Sequence, residues 1–186
     1  MKTRIQCTVF LTALLTLAAC EVQLGPSEYW RNIFRTQTDS TYYQGKTQSM
    51  VRKVVGAAAE YEINKVAVMD FVDEEGKTPI MGEYMASRVV EEMAKDKRLR
   101  VAQHGEIREA LSRLGLKASN HYSKMEAKKL GDALGIQALI TGRIVDIGTN
   151  IDIQMTMLDI VTGEVIGSST ESLNRTKFAV EMLRHY

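Results

Sequence analysis

The densest group of side chains that could do chemistry is acidic and follows the first predicted strand. Asp70, Asp73, Glu74 and Glu75 crowd into one short stretch. The carboxyl end of a strand is where open sheets often bind ligands, and carboxylate oxygens suit a divalent cation. Their order lacks the alternating oxygen ligands of an EF-hand loop, so a solvated acidic turn is the favoured interpretation.

The other reactive residue types are dispersed. His104, His121 and His185 have no second His or Glu at helical ligand spacing, so the sequence predicts no zinc site. Ser168 and Ser169 lie in a predicted strand without the Gly-x-Ser-x-Gly turn of a serine hydrolase. We therefore predict no catalytic residue, no cofactor and no metal, and interpret the protein as not an enzyme.

Cys20 is the one residue for which the sequence predicts a covalent modification. A positively charged start precedes an apolar stretch over residues 9–19, which is shorter than the roughly 20 residues that cross a bilayer. The stretch has the small-residue cleavage site of a secretory signal peptide. Leu17-Ala18-Ala19-Cys20 resembles the lipobox of bacterial lipoproteins, which implies removal of residues 1–19 and a lipid on Cys20. An ordinary signal with a chance cysteine is the alternative.

The lipoprotein resemblance also implies a location. Glu21 follows Cys20, whereas Asp at that place retains lipoproteins in the inner membrane in the enterobacterial sorting pattern. The expected location is therefore the outer membrane, with the domain facing the periplasm and lipid as the anchor. No later segment is apolar over about 18 residues, so no spanning helix is predicted.

Composition excludes several classes of site. The sequence holds 24 basic and 23 acidic residues, and two of the basic ones lie in the predicted signal. A nearly neutral chain without clustered Lys and Arg argues against nucleic-acid binding. Cys7 would leave with the signal and Cys20 would carry lipid, so neither a disulfide nor a cysteine-bound metal is expected.

Residues 20–46 are predicted to be the lipidated cysteine and a tether, because residues 21–46 are polar and aperiodic. Aromatic and large apolar side chains are nevertheless concentrated there, which is unusual for a solvated linker. These side chains either pack back on the domain or rest at lipid headgroups, or they form a docking segment for a partner subunit. The residues are Tyr29, Trp30, Ile33, Phe34, Tyr42 and Tyr43.

Apolar side chains recur at three- and four-residue spacing in four segments, which predicts four helices. The ranges are 47–60, 81–93, 107–114 and 123–134. Ser123 and Glu126 fit a capping box, and Gly115 and Gly135 are expected to end the last two helices. No Gly-Lys-Ser sequence follows Gly131, so it is expected to let its helix approach the sheet and not to bind phosphate.

The strand signals predict a mixed sheet. Residues 66–72 form a nearly continuous apolar run, residues 99–101 a short strand, and residues 138–147, 151–160 and 164–173 a meander with hairpin turns. The element order is α-β-α-β-α-α-β-β-β. The predicted fold class is α/β (α+β), with about five strands in a mixed sheet and helices packed on it. The domain is assigned to residues 47–176, followed by a tail or short helix over 177–186.

The segments from Lys65 to about Ser169 resemble the domain shared by FlgO-type flagellar lipoproteins, the curli secretion lipoprotein CsgG and the TolB amino-terminal region. They also resemble LpoB, the outer-membrane lipoprotein activator of a peptidoglycan synthase. The matching pieces are Lys65-Val66-Ala67-Val68-Met69-Asp70-Phe71, the acidic loop ending in Gly76, Gly82 at a helix start, Lys129 to Ile136, Ile140-Thr141-Gly142, and Leu158 to Val165.

The resemblance implies a non-enzymatic envelope lipoprotein that acts through protein contacts. The favoured role is assembly or stabilisation of a surface apparatus, most simply the flagellum, with a homo-oligomer as one possibility. The alternatives are an LpoB-like activator of a peptidoglycan synthase and a curli-type secretion component. Alternation along residues 151–157 could mimic a membrane strand, but the helical stripes need an apolar sheet face to cover, so core packing is favoured.

Overall fold

Five strands form one mixed sheet in the computed structural model, which describes residues 39–185. The spatial order is β2-β1-β3-β4-β5. β1 is parallel to both β2 and β3, and the last three strands run antiparallel to one another. The strands are β1 (Lys65–Val68), β2 (Arg100–Val101), β3 (Ala138–Asp146), β4 (Asn150–Asp159) and β5 (Val165–Asn174). The predicted fold class and the mixed sheet are confirmed.

Helices connect and cover these strands. α2 joins β1 to β2, and α3 with α4 carries the chain from β2 across to β3. Within the described residues, no helix combines the length and apolarity needed to span a membrane. The helices are α1 (Asp39–Glu60), α2 (Ile80–Met93), α3 (His104–Leu114), α4 (Lys124–Leu134) and the short α5 (Lys177–Glu181).

The first helix begins earlier than the sequence predicts. α1 starts at Asp39 and not near residue 47, so residues 39–46, assigned to the tether, belong to the folded part. Tyr43 is only 2% exposed. The centroid of its ring lies 5.7 Å from that of Tyr84 and 6.2 Å from that of Phe178. Of the aromatic group, Tyr42 and Tyr43 therefore pack on the domain. The other four members and Cys20 lie outside the described residues.

One face of the sheet is covered by α1, α2 and α5. Every second side chain of β4, from Ile151 to Met157, is fully buried there, which accounts for the alternation seen in the sequence. α1 and α2 contribute their own buried stripes, so this face holds the larger core. The helix residues buried in it include Met50, Val54, Met81, Met85, Val89 and Met93.

The opposite face is covered by α3 and α4 only over the parallel strands, where Ala67, Leu139 and Leu130 belong to a second core. Sequence signals located these helices well. Ser123 and Glu126 form the predicted capping box. Gly115 and Gly135 end α3 and α4 with φ of 66° and 59°. A Cβ on Gly131 would lie 2.2 Å from Ile160 Cδ1, which confirms the expected close approach.

β1 is shorter than the predicted run of residues 66–72. Regular pairing stops at Val68, although Met69 N still donates to Ile140 O at 2.8 Å and Val72 N to Gly142 O at 3.0 Å. The two donors are three residues apart and their acceptors only two, so this strand carries one extra residue here, and the buried ring of Phe71 lies against Gly142. The break places Asp70 at the carboxyl end of β1.

Candidate functional site

Half of one sheet face carries no helix. α3 and α4 stop short of β4, β5 and the second half of β3. Strand alternation puts polar side chains on this uncovered face, among them Arg143, Gln154 and Ser168. A mostly polar face of this kind is stable in water without a covering layer.

A groove of about 440 Å³ lies on this face, and we call it the sheet groove. One wall is the loop that joins α3 to α4, and the other is the turn between β4 and β5. The lining residues are Asn120, His121, Tyr122, Thr141, Gly142, Arg143, Gln154, Thr156, Leu158, Gly163, Val165 and Ser168.

The loop wall is held by specific hydrogen bonds. The Tyr122 hydroxyl donates to the carbonyl of Lys117 at 2.7 Å, and Thr141 Oγ1 donates to the carbonyl of Asn120 at 3.4 Å. Burial raises the pKa of Tyr122 above its ordinary range, so the hydroxyl keeps its proton and remains a donor. The groove is therefore formed by the fold itself.

The chemistry of the sheet groove suits a protein surface. Arg143 is the one Lys or Arg among the lining residues, and its Nη2 lies 3.3 Å from Glu74 Oε1. The floor presents hydroxyl and amide groups from Thr156, Ser168 and Gln154. Tyr and Arg are enriched at protein interfaces, whereas phosphate sites rely on several cations or on backbone nests.

The acidic residues singled out in the sequence do not form one site. Asp70 lies at the end of β1, while Asp73 accepts hydrogen bonds from the backbone amides of Glu75 and Lys77, both at 2.9 Å. Glu74 pairs with Arg143, and Glu75 pairs with Lys77 at 2.8 Å. No group of three or more His, Cys, Asp or Glu placed to hold a metal occurs in residues 39–185.

The histidines occupy three separate environments. His104 Nδ1 lies 3.7 Å from Asp70 Oδ1, and His185 Nε2 lies 2.8 Å from Asp73 Oδ2. His121 lines the sheet groove. The structure thus gives each histidine a different neighbourhood, as their dispersion in the sequence indicates.

The two serines considered as nucleophiles point to opposite faces. Ser168 lies in the sheet groove and Ser169 in the core beneath α1. Ser169 Oγ is buried and has no hydrogen-bond partner among the described residues, so no base is placed to activate it. Neither serine has the arrangement of a catalytic nucleophile.

Sequence reasoning missed the sheet groove. A signal was present, because β5 carries Ser and Thr at alternate positions 168, 170 and 172 where a covered strand would carry apolar residues. That pattern shows an uncovered face but not which loop borders it.

The described domain is similar to solved structures of the LpoB C-terminal domain. The domain from Escherichia coli matches with a TM-score of 0.58 and 17% identity, over 72% of this chain and 98% of that chain. The domain from Salmonella enterica gives 0.56 and 15% with the same coverage. Lipoprotein GNA1162 from Neisseria meningitidis gives 0.51 and 14%, over 61% and 82%. No protein-family model and no curated protein sequence matches this chain.

Identities this low establish structural likeness only. The resemblance to FlgO-type and CsgG-type domains stays a prediction, and these matches lend the flagellar role no support. The comparison supports one statement: the chain has the fold of the LpoB C-terminal domain.

Proposed function

We propose that the protein is an envelope lipoprotein whose domain activates a peptidoglycan synthase by direct contact. The observation that carries this proposal is the fold match, which spans 98% of the LpoB C-terminal domain. The sequence resemblance to LpoB points to the same role. The absence of a catalytic arrangement in the described residues is compatible with action through binding.

The sheet groove is the proposed docking surface for the synthase. Its volume, its fixed loop wall and its mixture of Tyr122, Arg143 and neutral polar groups fit a protein partner. The opposite face of the sheet is covered by α1, α2 and α5, so its strands are not accessible to a partner there.

The lipid on Cys20 is the proposed anchor. It would hold the domain at the outer membrane, facing the periplasm, while residues 21–38 connect it to α1. Multiple acyl chains on one residue give stable anchoring where a single chain gives only reversible binding.

A charge reversal in the groove tests the proposal. Purified chain should accelerate glycan-strand polymerisation by a bifunctional peptidoglycan synthase of the same cell, and Arg143→Glu should reduce that effect about tenfold. Arg52→Glu is the matched control, because Arg52 is an exposed arginine on α1, on the covered side of the sheet. Equal loss in both variants would reject the groove as the docking surface.

The flagellar alternative predicts a different phenotype. Deletion of the gene should alter wall synthesis and leave motility intact if the proposal is right. Loss of motility with unchanged wall synthesis would reject it in favour of the surface-apparatus role.

A further inference from the structure

A second concavity lies at the carboxyl ends of β1 and β2. From β1 the chain turns to α2 on one face of the sheet, and from β2 it turns to α3 on the other. Adjacent parallel strands whose connections leave toward opposite faces open a crevice between them, and open sheets bind ligands in such crevices.

This strand-end crevice has a volume of about 400 Å³, which falls in the range of small-molecule sites. Its apolar wall is formed by side chains from both strands and both helices. The apolar contributors include Val68, Ala86, Val90, Val101 and Ile107.

Asp70 is the polar group that distinguishes the crevice. Its side chain is only 16% exposed, and no hydrogen bond to it is formed within residues 39–185. The nearest ionisable nitrogen, His104 Nδ1, is 3.7 Å away, which is too long for a hydrogen bond. Burial raises the pKa of Asp70, and the neighbouring Glu83 adds to the rise against the opposing effects of His104 and Arg108.

The Asp70 carboxylate is partly desolvated but its oxygens remain accessible from the crevice, so a ligand that brings a charged donor would pair with it there. Two carboxylates, Asp70 and Glu83, and one permanent cation, Arg108, line the crevice, so its charge favours a cation over an anion. The wall favours an aliphatic body. An alkylammonium ion has both properties.

We propose that the strand-end crevice binds a small aliphatic primary amine, with its ammonium group on Asp70 and its alkyl chain against Val90, Val101 and Ile107. The site is separate from the sheet groove, so this proposal stands apart from synthase activation.

The proposal carries a pH dependence with a definite sign. As the pH falls, Asp70 takes up a proton and loses its charge. Glu83 on α2, with His104 and Arg108 on α3, are the titratable or charged groups that face Asp70. Protonation of Asp70 therefore weakens binding of an ammonium ion at low pH.

A titration of the full chain with hexylamine, followed by nuclear magnetic resonance, tests the site. Hexylammonium should shift the methyl resonances of Val68, Val101 and Ile107, and hexanol of the same length should bind about tenfold more weakly. Asp70→Asn should weaken hexylamine binding to the level of hexanol. Asp132→Asn, which changes an exposed carboxylate on α4, should leave the affinity unchanged.

A second variant keeps the test informative if Asp70→Asn fails to fold. Val90→Phe fills the crevice without touching the carboxylate, and it should also weaken binding of hexylamine. Unshifted crevice resonances, equal affinities for hexylamine and hexanol, or full affinity in Asp70→Asn would each overturn the proposal.

Discussion

Phe71 leaves no room for a side chain at two neighbouring glycines, Gly82 and Gly142. A Cβ on Gly142 would lie 2.1 Å from Phe71 Cγ, far closer than van der Waals contact allows. A Cβ on Gly82 would lie 2.0 Å from the backbone carbonyl oxygen of Phe71. The first conflict involves a fully buried ring and the second a main-chain atom, so neither neighbour can give way without moving β1 against α2 or β3.

Gly82→Ala should therefore lower the free energy of unfolding by ~3 kcal/mol, because the added methyl overpacks a core junction. Gly56→Ala is the matched control: nothing lies within 4 Å of its Cβ position in α1, and alanine favours helix. Urea unfolding followed by circular dichroism measures both. A stable Gly82→Ala variant would show that α2 can shift away from Phe71.

At the scale of elements, α1 is tied to β5 through one carboxylate. Glu171 accepts hydrogen bonds from Ser49 Oγ at 2.6 Å and from Lys46 and Lys53 Nζ, both at 3.2 Å. The hydrogen bond from Ser49, followed by those from the two lysines, lowers the pKa of Glu171 from 4.5 to about 2. The side chain is 15% exposed, so these contacts are only partly screened by solvent.

This lowered pKa predicts a loss of stability in acid. The contribution of Glu171 is complete above pH 4.5 and disappears as the pH falls toward 2, because the unfolded chain then binds a proton that the folded chain resists. Unfolding free energies measured from pH 6 to 2 should fall less steeply in Glu171→Gln than in the natural chain, with a difference of about 1–2 kcal/mol. Glu164→Gln, at an exposed site, should keep the natural slope.

The sequence predicted elements wherever local chemistry specifies them. The capping box at Ser123 and the left-handed glycines at 115 and 135 locate helix ends within one or two residues. The predicted start of α1 near residue 47 was wrong, because Gly45 and the polar residues around it weaken the helical signal. The spacing of Tyr43, Thr47, Met50 and Val54 continues the buried face and would have shown the longer helix.

The extra turns of α1 should contribute to stability. Tyr43→Ala removes a ring that packs edge-on against Tyr84 at 5.7 Å, and it should lower the melting temperature through a loss of ~3 kcal/mol. Tyr61→Ala is the control, since Tyr61 is 55% exposed just beyond the helix. Equal melting temperatures of the two variants would show that residues 39–46 do not stabilise the domain and belong to the tether.

At the scale of the whole molecule, the two concave surfaces arise from strand order. The sheet groove exists because α3 and α4 cover only the parallel strands, and the strand-end crevice exists because β1 and β2 send their connections to opposite faces. Local periodicity indicates the uncovered face of β5, but it shows neither how far α3 and α4 extend nor to which face each strand connection leads. The sequence therefore identified Asp70 and the acidic loop as candidates. It could not predict that Asp70 and Asp73 lie in different environments, or that Tyr122 and Arg143 line the same groove.

The longer α1 also shortens the proposed tether. Residues 21–38 remain between Cys20 and the domain, and a fully extended chain of that length spans at most ~65 Å. If activation of a synthase requires this reach, deleting residues 25–34 should reduce wall synthesis in cells. The same deletion should leave activation by purified protein unchanged, because the purified partners are not anchored at a distance that the tether must span.

A replacement of equal length distinguishes reach from recognition. Residues 25–34 contain Tyr29, Trp30, Ile33 and Phe34, so a Gly/Ser sequence in their place keeps the span and removes the aromatic groups. If the segment acts by length, the replaced chain works in cells and the deleted one does not. If the aromatic residues dock on a partner, both variants fail in cells and both activate the purified synthase poorly. The second result would show that the tether supplies part of the binding energy that we assign to the sheet groove.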